Sequence, residues 1–328
     1  MKEKKPTRNL AMDLVRVTEA AALGAGRFMG RGDKEGGDQA AVDGMRLMLN
    51  SIEMNATVII GEGEKDEAPM LFNGEVLGTG AGPEMDIAVD PIDGTRPLAE
   101  GRPNSIATVS LAPRGTMYDP GPFVYMDKIA VGPTCKGLID IERPVKDNLK
   151  IVAKALDLRL QDVTVVMLQR DRHEKLREEV RQAGARIRFI DDGDVAGAVM
   201  AALPDTGIHV LIGVGGTPEG VLAACALRAM GGEIQGKLYA RNDDELKRGN
   251  EMGYDFDKVL TMDDLVASED VFFAATGITD GELLDGVKYV SRGATTSSLV
   301  VRGATGTVRT IFAEHRIEKL QTISDVEY

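Results

Sequence analysis

The sequence predicts an α/β protein with two lobes. Three observations lead to this prediction: apolar residues with helical spacing open the chain, short β-branched runs follow them, and strands alternate with helices beyond residue 144. Such alternation is typical of a largely parallel sheet covered by helices. The 328 residues also fit two lobes, since a domain averages about 150 residues. We expect the lobes to span 1–148 and 149–328.

Two helices are predicted ahead of the first strand. One apolar stripe predicts a helix from about 8 to 29, and a second stripe predicts another helix with Asp38 near its N-cap. The first stripe is formed by Leu10, Leu14, Val17, Ala21 and Phe28, and the second by Met45, Met48, Leu49 and Ile52.

The remaining elements follow from short apolar runs and their boundaries. In the first half, the predicted strands are 57–60, 86–90, 106–111 and 128–131. Gly61 ends the first of them, and Pro91 is expected to break the second. In the second half, the predicted helices are 147–156, 174–183, 195–202 and 218–230, and the predicted strands are 163–168, 187–190 and 209–214.

Charge and composition exclude several classes of protein. Lys and Arg number 39 against 52 Asp and Glu, and the net charge of −13 repels nucleic acid and anionic membranes on average. Cys135 and Cys225 form no CxxC pair, so neither a zinc ribbon nor a disulfide framework is expected. The first residues are charged rather than signal-like, and no apolar stretch approaches the about 20 residues of a membrane span. We expect a cytoplasmic protein that binds neither nucleic acid nor a membrane.

Two loops that follow predicted strands concentrate carboxylates. Residues 61–67 carry five charges in seven positions, and residues 90–95 read Asp-Pro-Ile-Asp-Gly-Thr. Ligands of α/β sheets bind at the carboxyl ends of strands. Charge runs usually face solvent and Asp-Gly marks turns, so either loop could be a solvated turn. In the second loop, however, a turn needs neither the threonine nor the buried strand before it.

Asp90 and Asp93 are suited to hold a cation together. They are three positions apart, and Pro91 between them fixes one φ, so both carboxylates can face one cavity. Without a cation, such a pair raises one of the two pKa values. Oxygen ligands select Mg²⁺ or Mn²⁺ over zinc, for which the scattered histidines 173, 209 and 315 offer no cluster. The arrangement favours metal-assisted phosphoryl hydrolysis.

Several motifs carry a resemblance to a known family. Besides residues 90–95, they are Gly-Arg-Gly-Asp-Lys at 30–34, the acidic segment within 60–71, Asp-Gly-Asp-Val-Ala at 192–196, Gly-Gly-Thr-Pro-Glu-Gly at 215–220 and Ala-Ala-Thr-Gly-Ile-Thr at 274–279. Residues 90–95 resemble the signature of the lithium-sensitive phosphomonoesterase superfamily. Over nearly its whole length, the chain resembles class II fructose-1,6-bisphosphatase of the GlpX type.

The resemblance implies a fold, a cofactor and roles for individual residues. The fold is an α-β-α-β-α sandwich, and the protein is a Mg²⁺- or Mn²⁺-dependent homo-oligomer, either a dimer or a tetramer. The implied metal ligands are Asp38, Glu62, Asp90, Asp93 and Glu219. Thr95 matches the hydroxyl that orients the attacking water, with Asp38 as a candidate base. The implied substrate-binding residues are Asp93, Gly94, Thr95, Tyr125, Arg170, Asp171, Arg172, Asp192, Gly193, Asp194 and Gly216.

Two segments depart from the family's pattern. Arg-Asp-Arg at 170–172 stands where the family commonly reads Lys-Pro-Arg or Arg-Pro-Arg, which adds an acid beside a phosphate anchor. Arg-Pro-Leu at 96–98 also differs, and we expect it to alter its loop more than the metal ligands. The structural alternatives for single positions are a helix cap for Asp38, a helix-dipole partner for Glu219, turn residues for Asp192 and Asp194, and a core position for Tyr125.

The resemblance implies an enzyme that removes the 1-phosphate of fructose 1,6-bisphosphate in gluconeogenesis, giving fructose 6-phosphate and phosphate. A dual enzyme that also hydrolyses sedoheptulose 1,7-bisphosphate is one alternative, and inositol monophosphatase is another. A third is a catalytically silent sugar-phosphate sensor. Any bisphosphate needs a second anchor, for which Arg170 and Arg172 are the candidates. The 1–148 lobe is expected to bind metal and the 149–328 lobe to bind substrate.

Overall fold

The computed structural model describes residues 9–62 and 71–322. The predicted helix start at residue 8 and residues 63–67 of the acidic loop lie outside them. The helices are α1 (Ala11–Ala25), α2 (Lys34–Asn50), α3 (Thr95–Glu100), α4 (Val145–Ala155), α5 (Glu174–Ala183), α6 (Val195–Ala202), α7 (Thr217–Met230), α8 (Asp243–Glu251), α9 (Met262–Leu265) and α10 (Ile317–Leu320). The strands are β1 (Asn55–Ile60), β2 (Val76–Leu77), β3 (Glu84–Asp93), β4 (Ile106–Pro113), β5 (Tyr125–Val131), β6 (Thr164–Leu168), β7 (Arg186–Ile190), β8 (Val210–Gly216), β9 (Glu233–Leu238), β10 (Phe272–Gly277), β11 (Lys288–Val290), β12 (Gly293–Arg302) and β13 (Thr307–His315).

These strands form two sheets with helices between and outside them. Within the described residues, the first sheet has the order β11-β12-β10-β4-β3-β1-β2 with β13 beside β12, and the second has the order β7-β6-β8-β5-β9. Helices α1 and α2 cover the outer face of the first sheet, and α4 and α5 cover that of the second. Helices α6 and α7 lie between the sheets. The expected α-β-α-β-α layered fold is confirmed.

The middle layer explains why α6 and α7 lack a polar face. Every residue of α6 is buried, and α7 packs against strands of both sheets at once. A helix that is apolar all round belongs in an interior. Many buried side chains of α7 are small, such as Ala223, Ala224 and Ala226, so the two sheets can approach it closely. Among the described residues, no helix is both long and apolar enough to cross a membrane.

The second sheet departs in part from the expected parallel sheet. Strands β6 and β7 are parallel, β6 and β8 are parallel, and β9 shares their direction, as alternation with helices predicts. Strand β5, however, is inserted between β8 and β9 and runs antiparallel to both. The connection that β5 makes to β4 is a loop rather than a crossover helix, so the rule for strand-helix alternation does not apply to it.

The sheets do not divide at residue 148. Strand β5 precedes that position but belongs to the second sheet, whereas β10, β12 and β13 follow it and belong to the first. The chain therefore enters the first sheet, builds the second and returns to the first. A single boundary between 1–148 and 149–328 does not separate the two described sheets.

Two local predictions about the site segments are wrong. Asp33, not Asp38, caps α2, because its carboxylate accepts a hydrogen bond from the Gly36 N–H at 2.9 Å. Pro91 does not break the strand, because β3 continues to Asp93 through a bulge. A bulge leaves a position unpaired, so the N–H that proline lacks removes no ladder bond there.

The capping role of Asp33 is testable by substitution. Replacing Asp33 with Ala removes the acceptor for the Gly36 N–H and should lower the free energy of unfolding by about 1 kcal/mol. Asp33→Asn keeps a capping oxygen and should unfold close to wild type. Urea denaturation of both variants measures the difference, and equal stability of the two would rule out the cap.

Candidate active site

The functional candidates meet where strands of both sheets end. Glu62 follows β1, Asp90 and Asp93 end β3, and Asp194 follows β7. Tyr125 begins β5, but β5 is antiparallel to β8, so it lies directly opposite Gly216 at the end of β8. Because β5 runs antiparallel to β8, its first residue lies at the same edge of the sheet as the last residue of β8.

The end of β3 is a tight turn built by its own polar groups. Asp90 Oδ1 accepts a hydrogen bond from the Ile92 N–H at 3.1 Å. Gly94 has φ +100°, a conformation that favours glycine, and its carbonyl accepts from the buried Ser105 hydroxyl at 2.7 Å. This turn places Thr95 at the first position of α3, beside the carboxylates.

Thr95 faces the carboxylate that stands inside α2. Its hydroxyl lies 3.2 Å from Asp38 Oδ1 and 3.3 Å from the Ile92 carbonyl oxygen, and it can donate to either. Burial raises the pKa of Asp38, while the hydrogen bond from Thr95 and the charge of Lys34 oppose that rise. The helix cap belongs to Asp33, so the Asp38 carboxylate is available to Thr95.

Burial and mutual repulsion dominate the carboxylates around Asp93. Burial, followed by the charges of neighbouring carboxylates, raises the pKa values of Asp90 and Asp93 well above their ordinary range and also raises that of Glu219. Glu62 is exposed at its surface. Desolvation by the protein atoms packed around its carboxyl group, followed by the charges of Asp38 and Glu219, nevertheless raises its pKa to about 7. Among the described residues, the site therefore holds more acidic groups than basic partners to neutralise them.

The donor set fits a hard divalent cation. The carboxylates of this cluster all offer oxygen ligands. One of their oxygens, Asp93 Oδ2, is buried without a hydrogen-bond partner. In the described part of the chain, no three His, Cys, Asp or Glu side chains converge as a ready-made metal cage. Like-charged carboxylates repel each other, and a cation among them would supply the missing partner for Asp93.

The loop after β7 closes over this cluster. Gly193 has φ +67°, and a Cβ built on it would lie 2.5 Å from Asp93 Oδ1. Asp194 is buried and binds the ammonium of Lys128. Asp192 pairs with Arg170, whose Nη2 lies 2.6 Å from Asp192 Oδ1. Each member of the Asp-Gly-Asp segment thus has a specific partner in the site, which a solvated turn would not require.

A cavity of about 270 Å³ opens beside the carboxylates. It is lined by Val124, Tyr125, Leu168, Arg170, Arg172, Asp192, Gly193, Asp194, Gly215, Gly216, Pro218 and Glu219. Its residues include most of the predicted substrate-binding set. Asp171 is exposed and is not among the lining residues, and Tyr125 is half-buried in the cavity wall rather than in the core.

Arg170 and Arg172 line the cavity, and Arg241 lies near its Tyr125. Arg172 donates from Nε and Nη2 to the Val214 carbonyl at 3.2 and 2.8 Å, and its guanidinium lies 5.2 Å from the centre of the Tyr125 ring. Arg241 lies 5.8 Å from the same ring and pairs with Glu245. Guanidinium groups held in this way are suited to bind a phosphate.

The histidines have structural roles. His173 accepts a hydrogen bond from the Val214 N–H at Nε2, which leaves Nδ1–H to donate to the Leu168 carbonyl. His209 accepts from the Thr164 N–H, and His315 lies by Thr296. Each histidine thus takes part in the protein's own hydrogen-bond network.

Sequence reasoning missed Lys128, Arg241 and Arg96 as site residues. Lys128 is fully buried at the cluster, and Arg96 donates to the Asp191 carbonyl at 3.0 Å, next to Asp192. A lysine directly before the apolar run 129–131 was a usable signal for Lys128. Arg241 lies far along the sequence in a polar stretch, where no local pattern indicates that it reaches Tyr125.

The layered fold and the acidic cleft edged by arginines place the chain in the class of α/β phosphomonoesterases. The family described as bacterial fructose-1,6-bisphosphatase, glpX-encoded, matches residues 8–315, and the chain belongs to this family. It is 44% identical over 325 residues to fructose-1,6-bisphosphatase 1 class 2 of Escherichia coli strain K12, with 95% of this chain and 96% of the relative covered. The same values hold for fructose-1,6-bisphosphatase class 2 of Escherichia coli O6:H1 and of Shigella flexneri.

The contact between Gly193 and Asp93 generates a prediction. Gly193→Ala forces a Cβ against Asp93 Oδ1 and should lower kcat/KM on the order of 10²-fold, because the carboxylate or the loop must shift. Gly207 is a matched control, with φ +71° and no atom within 4 Å of its Cβ position. Gly207→Ala should lose stability through backbone strain alone and keep normal kcat/KM. If both variants keep normal kinetics, the close approach of the loop has no functional role.

Proposed function

We propose that this protein hydrolyses the 1-phosphate of fructose 1,6-bisphosphate, giving fructose 6-phosphate and inorganic phosphate. The observation that carries the proposal is the juxtaposition of two regions of opposite charge. Carboxylates cluster around Asp93, and Glu219 of this cluster lines the same cavity as Arg170 and Arg172. Such a site suits a substrate with one reacting phosphate and a second phosphate at a distance. The expected cytoplasmic location and homo-oligomeric state stay predictions.

The proposed metal ligands are Asp38, Glu62, Asp90, Asp93 and Glu219, and the proposed ion is Mg²⁺ or Mn²⁺. The family is metal-dependent, and the unpartnered Asp93 Oδ2 supports a cation at this point. When bound, such an ion polarises the phosphate and stabilises the charge that develops during hydrolysis. The carboxylates bind it and keep it beside the strand ends.

Thr95 and Asp38 are proposed to act on the attacking water. When the Thr95 hydroxyl donates to Asp38, its oxygen is left to accept a hydrogen bond from a water. This orients the water toward the phosphate, and Asp38 can receive the proton that leaves it. Burial already raises the pKa of Asp38, which makes its carboxylate a better base than an exposed aspartate.

Arg170 and Arg172, with Tyr125, are proposed to hold the distal phosphate. Both guanidinium groups line the cavity and are fixed by contacts to the protein. The distal phosphate does not react, so this binding serves substrate and transition state equally. Asp192, Gly193, Asp194 and Gly216 are proposed to contact the sugar between the two ends.

A phosphate-release assay tests the proposal. Chelator-treated protein should be inactive on every substrate and recover with Mn²⁺ or Mg²⁺. With metal, the panel should contain fructose 1,6-bisphosphate, sedoheptulose 1,7-bisphosphate and inositol 1-phosphate. Release from fructose 1,6-bisphosphate supports the proposal, and comparable release from the sedoheptulose ester identifies a dual enzyme. Activity on the inositol ester alone, or turnover in metal-free buffer, would overturn it.

Substitution of Thr95 separates catalysis from turn stability. Thr95→Ala should lower kcat on the order of 10²–10⁴-fold, because it removes the group that orients water. Thr95→Ser keeps the oxygen and should retain much of the rate. Both changes leave every carboxylate in place, and only Thr95→Ala removes the hydrogen bond to Asp38, so Mn²⁺ affinity should fall far less than kcat. A near-normal kcat for Thr95→Ala with a lower melting temperature would assign Thr95 to the turn only.

Substitution of Arg172 tests the distal anchor. Arg172→Ala should raise KM by about 10- to 100-fold with kcat nearly unchanged, as expected for loss of a charged hydrogen bond to a non-reacting group. Arg181 pairs with Glu178 on α5 and is a control, since Arg181→Ala should leave KM unchanged. A collapse of kcat at constant KM in Arg172→Ala contradicts the assignment.

A further inference from the structure

Lys128 is a buried cation beside the acidic cluster. It lies on β5, and its side chain has no exposed surface. Its ammonium lies 2.9 Å from Asp194 Oδ1, 2.8 Å from Asp194 Oδ2 and 2.8 Å from the Gly216 carbonyl oxygen. A buried lysine is expensive to desolvate, so a structure that retains one must give it close partners of opposite polarity.

Lys128 and its two partners belong to three different elements of the site. Asp194 directly precedes α6, Gly216 joins β8 to α7, and Lys128 belongs to the strand inserted beside β8. One ammonium therefore fixes the Asp-Gly-Asp loop against the turn that leads to Glu219. Both held residues line the cavity.

The charge of Lys128 also acts on the carboxylates that face the metal position. Asp194, which Lys128 binds, directly follows Gly193, whose Cβ position lies 2.5 Å from Asp93 Oδ1, and a Cβ built on Gly216 would meet the Glu219 carboxylate. The ammonium therefore lies close to two of the proposed metal ligands. A fixed positive charge repels a second cation nearby, and this repulsion is stronger for a doubly charged ion.

We propose that Lys128 is a positioning residue that fixes Asp194 and Gly216 against the substrate and, as a resident cation, weakens the affinity of the site for divalent metal. The substrate part rests on the proposed function, whereas the metal part does not depend on which phosphate ester is hydrolysed. The ammonium is fully buried, hydrogen-bonds to Asp194 Oδ1 and the Gly216 carbonyl, and does not line the cavity, so Lys128 is given no contact with the water or the reacting phosphate. Its effect reaches the reaction through Asp194, Gly216 and the electric field.

The experiment compares the charge variants of this pair. Lys128→Met removes one positive charge, Asp194→Asn removes one negative charge, and Lys128→Met/Asp194→Asn removes both. Mn²⁺ affinity is measured by titration calorimetry on chelator-treated, full-length protein without substrate, and melting temperature is measured alongside. Lys237 on the neighbouring strand β9 pairs with the partly exposed Glu142, so Lys237→Met is the matched control.

The expected results have opposite signs for the two single variants. Lys128→Met should bind Mn²⁺ about tenfold more tightly, Asp194→Asn about tenfold more weakly, and the double variant close to wild type, as the Coulomb interaction of unit charges near a divalent ion requires. Lys237→Met should leave the affinity unchanged. A purely structural lysine predicts the reverse for Lys128→Met, namely weaker metal binding together with a lower melting temperature.

Two further comparisons keep the test decisive. If Lys128→Met does not fold, the double variant should bind Mn²⁺ more tightly than Asp194→Asn, and equal or weaker binding overturns the proposal. Both variants that contain Lys128→Met should also show a raised KM for fructose 1,6-bisphosphate, and a wild-type KM overturns the positioning role. If wild-type protein releases no phosphate from this substrate, the proposed function fails, while the Mn²⁺ measurements still decide the role of Lys128.

Discussion

Repulsion between carboxylates that are crowded at the end of β3 is the constraint on which the site depends. Asp90 and Asp93 are placed there by the bulge and by the turn at Gly94, and Glu219 is brought against them from the start of α7. Among the described residues, Lys128 supplies the one buried positive charge next to them. The remaining imbalance is what makes the site suited to a divalent cation. The loop after β7 and the arginines beyond it then define where a phosphate ester can lie.

The layered fold makes this concentration of charge tolerable. The chain builds part of the first sheet, then the whole second sheet, and returns to finish the first, so the two sheets are tied together by more than one crossing. The acidic cluster lies where ends of both sheets meet over the middle layer. Three apolar cores supply the stability that the repelling carboxylates reduce: one under each outer pair of helices and one around the middle layer.

The sequence allowed much of this arrangement to be predicted, and the failures have physical causes. Helices α5 and α6 begin and end where periodicity and flanking residues indicate, since their boundaries are local. Pro91 was expected to break a strand, because the rule for proline applies to a regular ladder and not to a bulge. The insertion of β5 depends on contacts between distant segments, which no local pattern contains. For the same reason, the partners of Lys128 and the approach of Arg241 to Tyr125 became visible only in three dimensions.

Helix α7 links the acidic cluster to the far side of the molecule. Its first turn carries Glu219, and the helix, about 20 Å long at the usual rise per residue, is clamped between two sheets by small side chains. A helix held on both faces moves as a rigid rod and has no free side on which to absorb added volume. Replacing Ala226 or Ala229, well away from the cleft, with a larger residue would therefore displace the whole helix and shift the Glu219 carboxylate in its first turn. In this fold, the alanines of a buried helix determine the position of a proposed metal ligand as firmly as its immediate neighbours do.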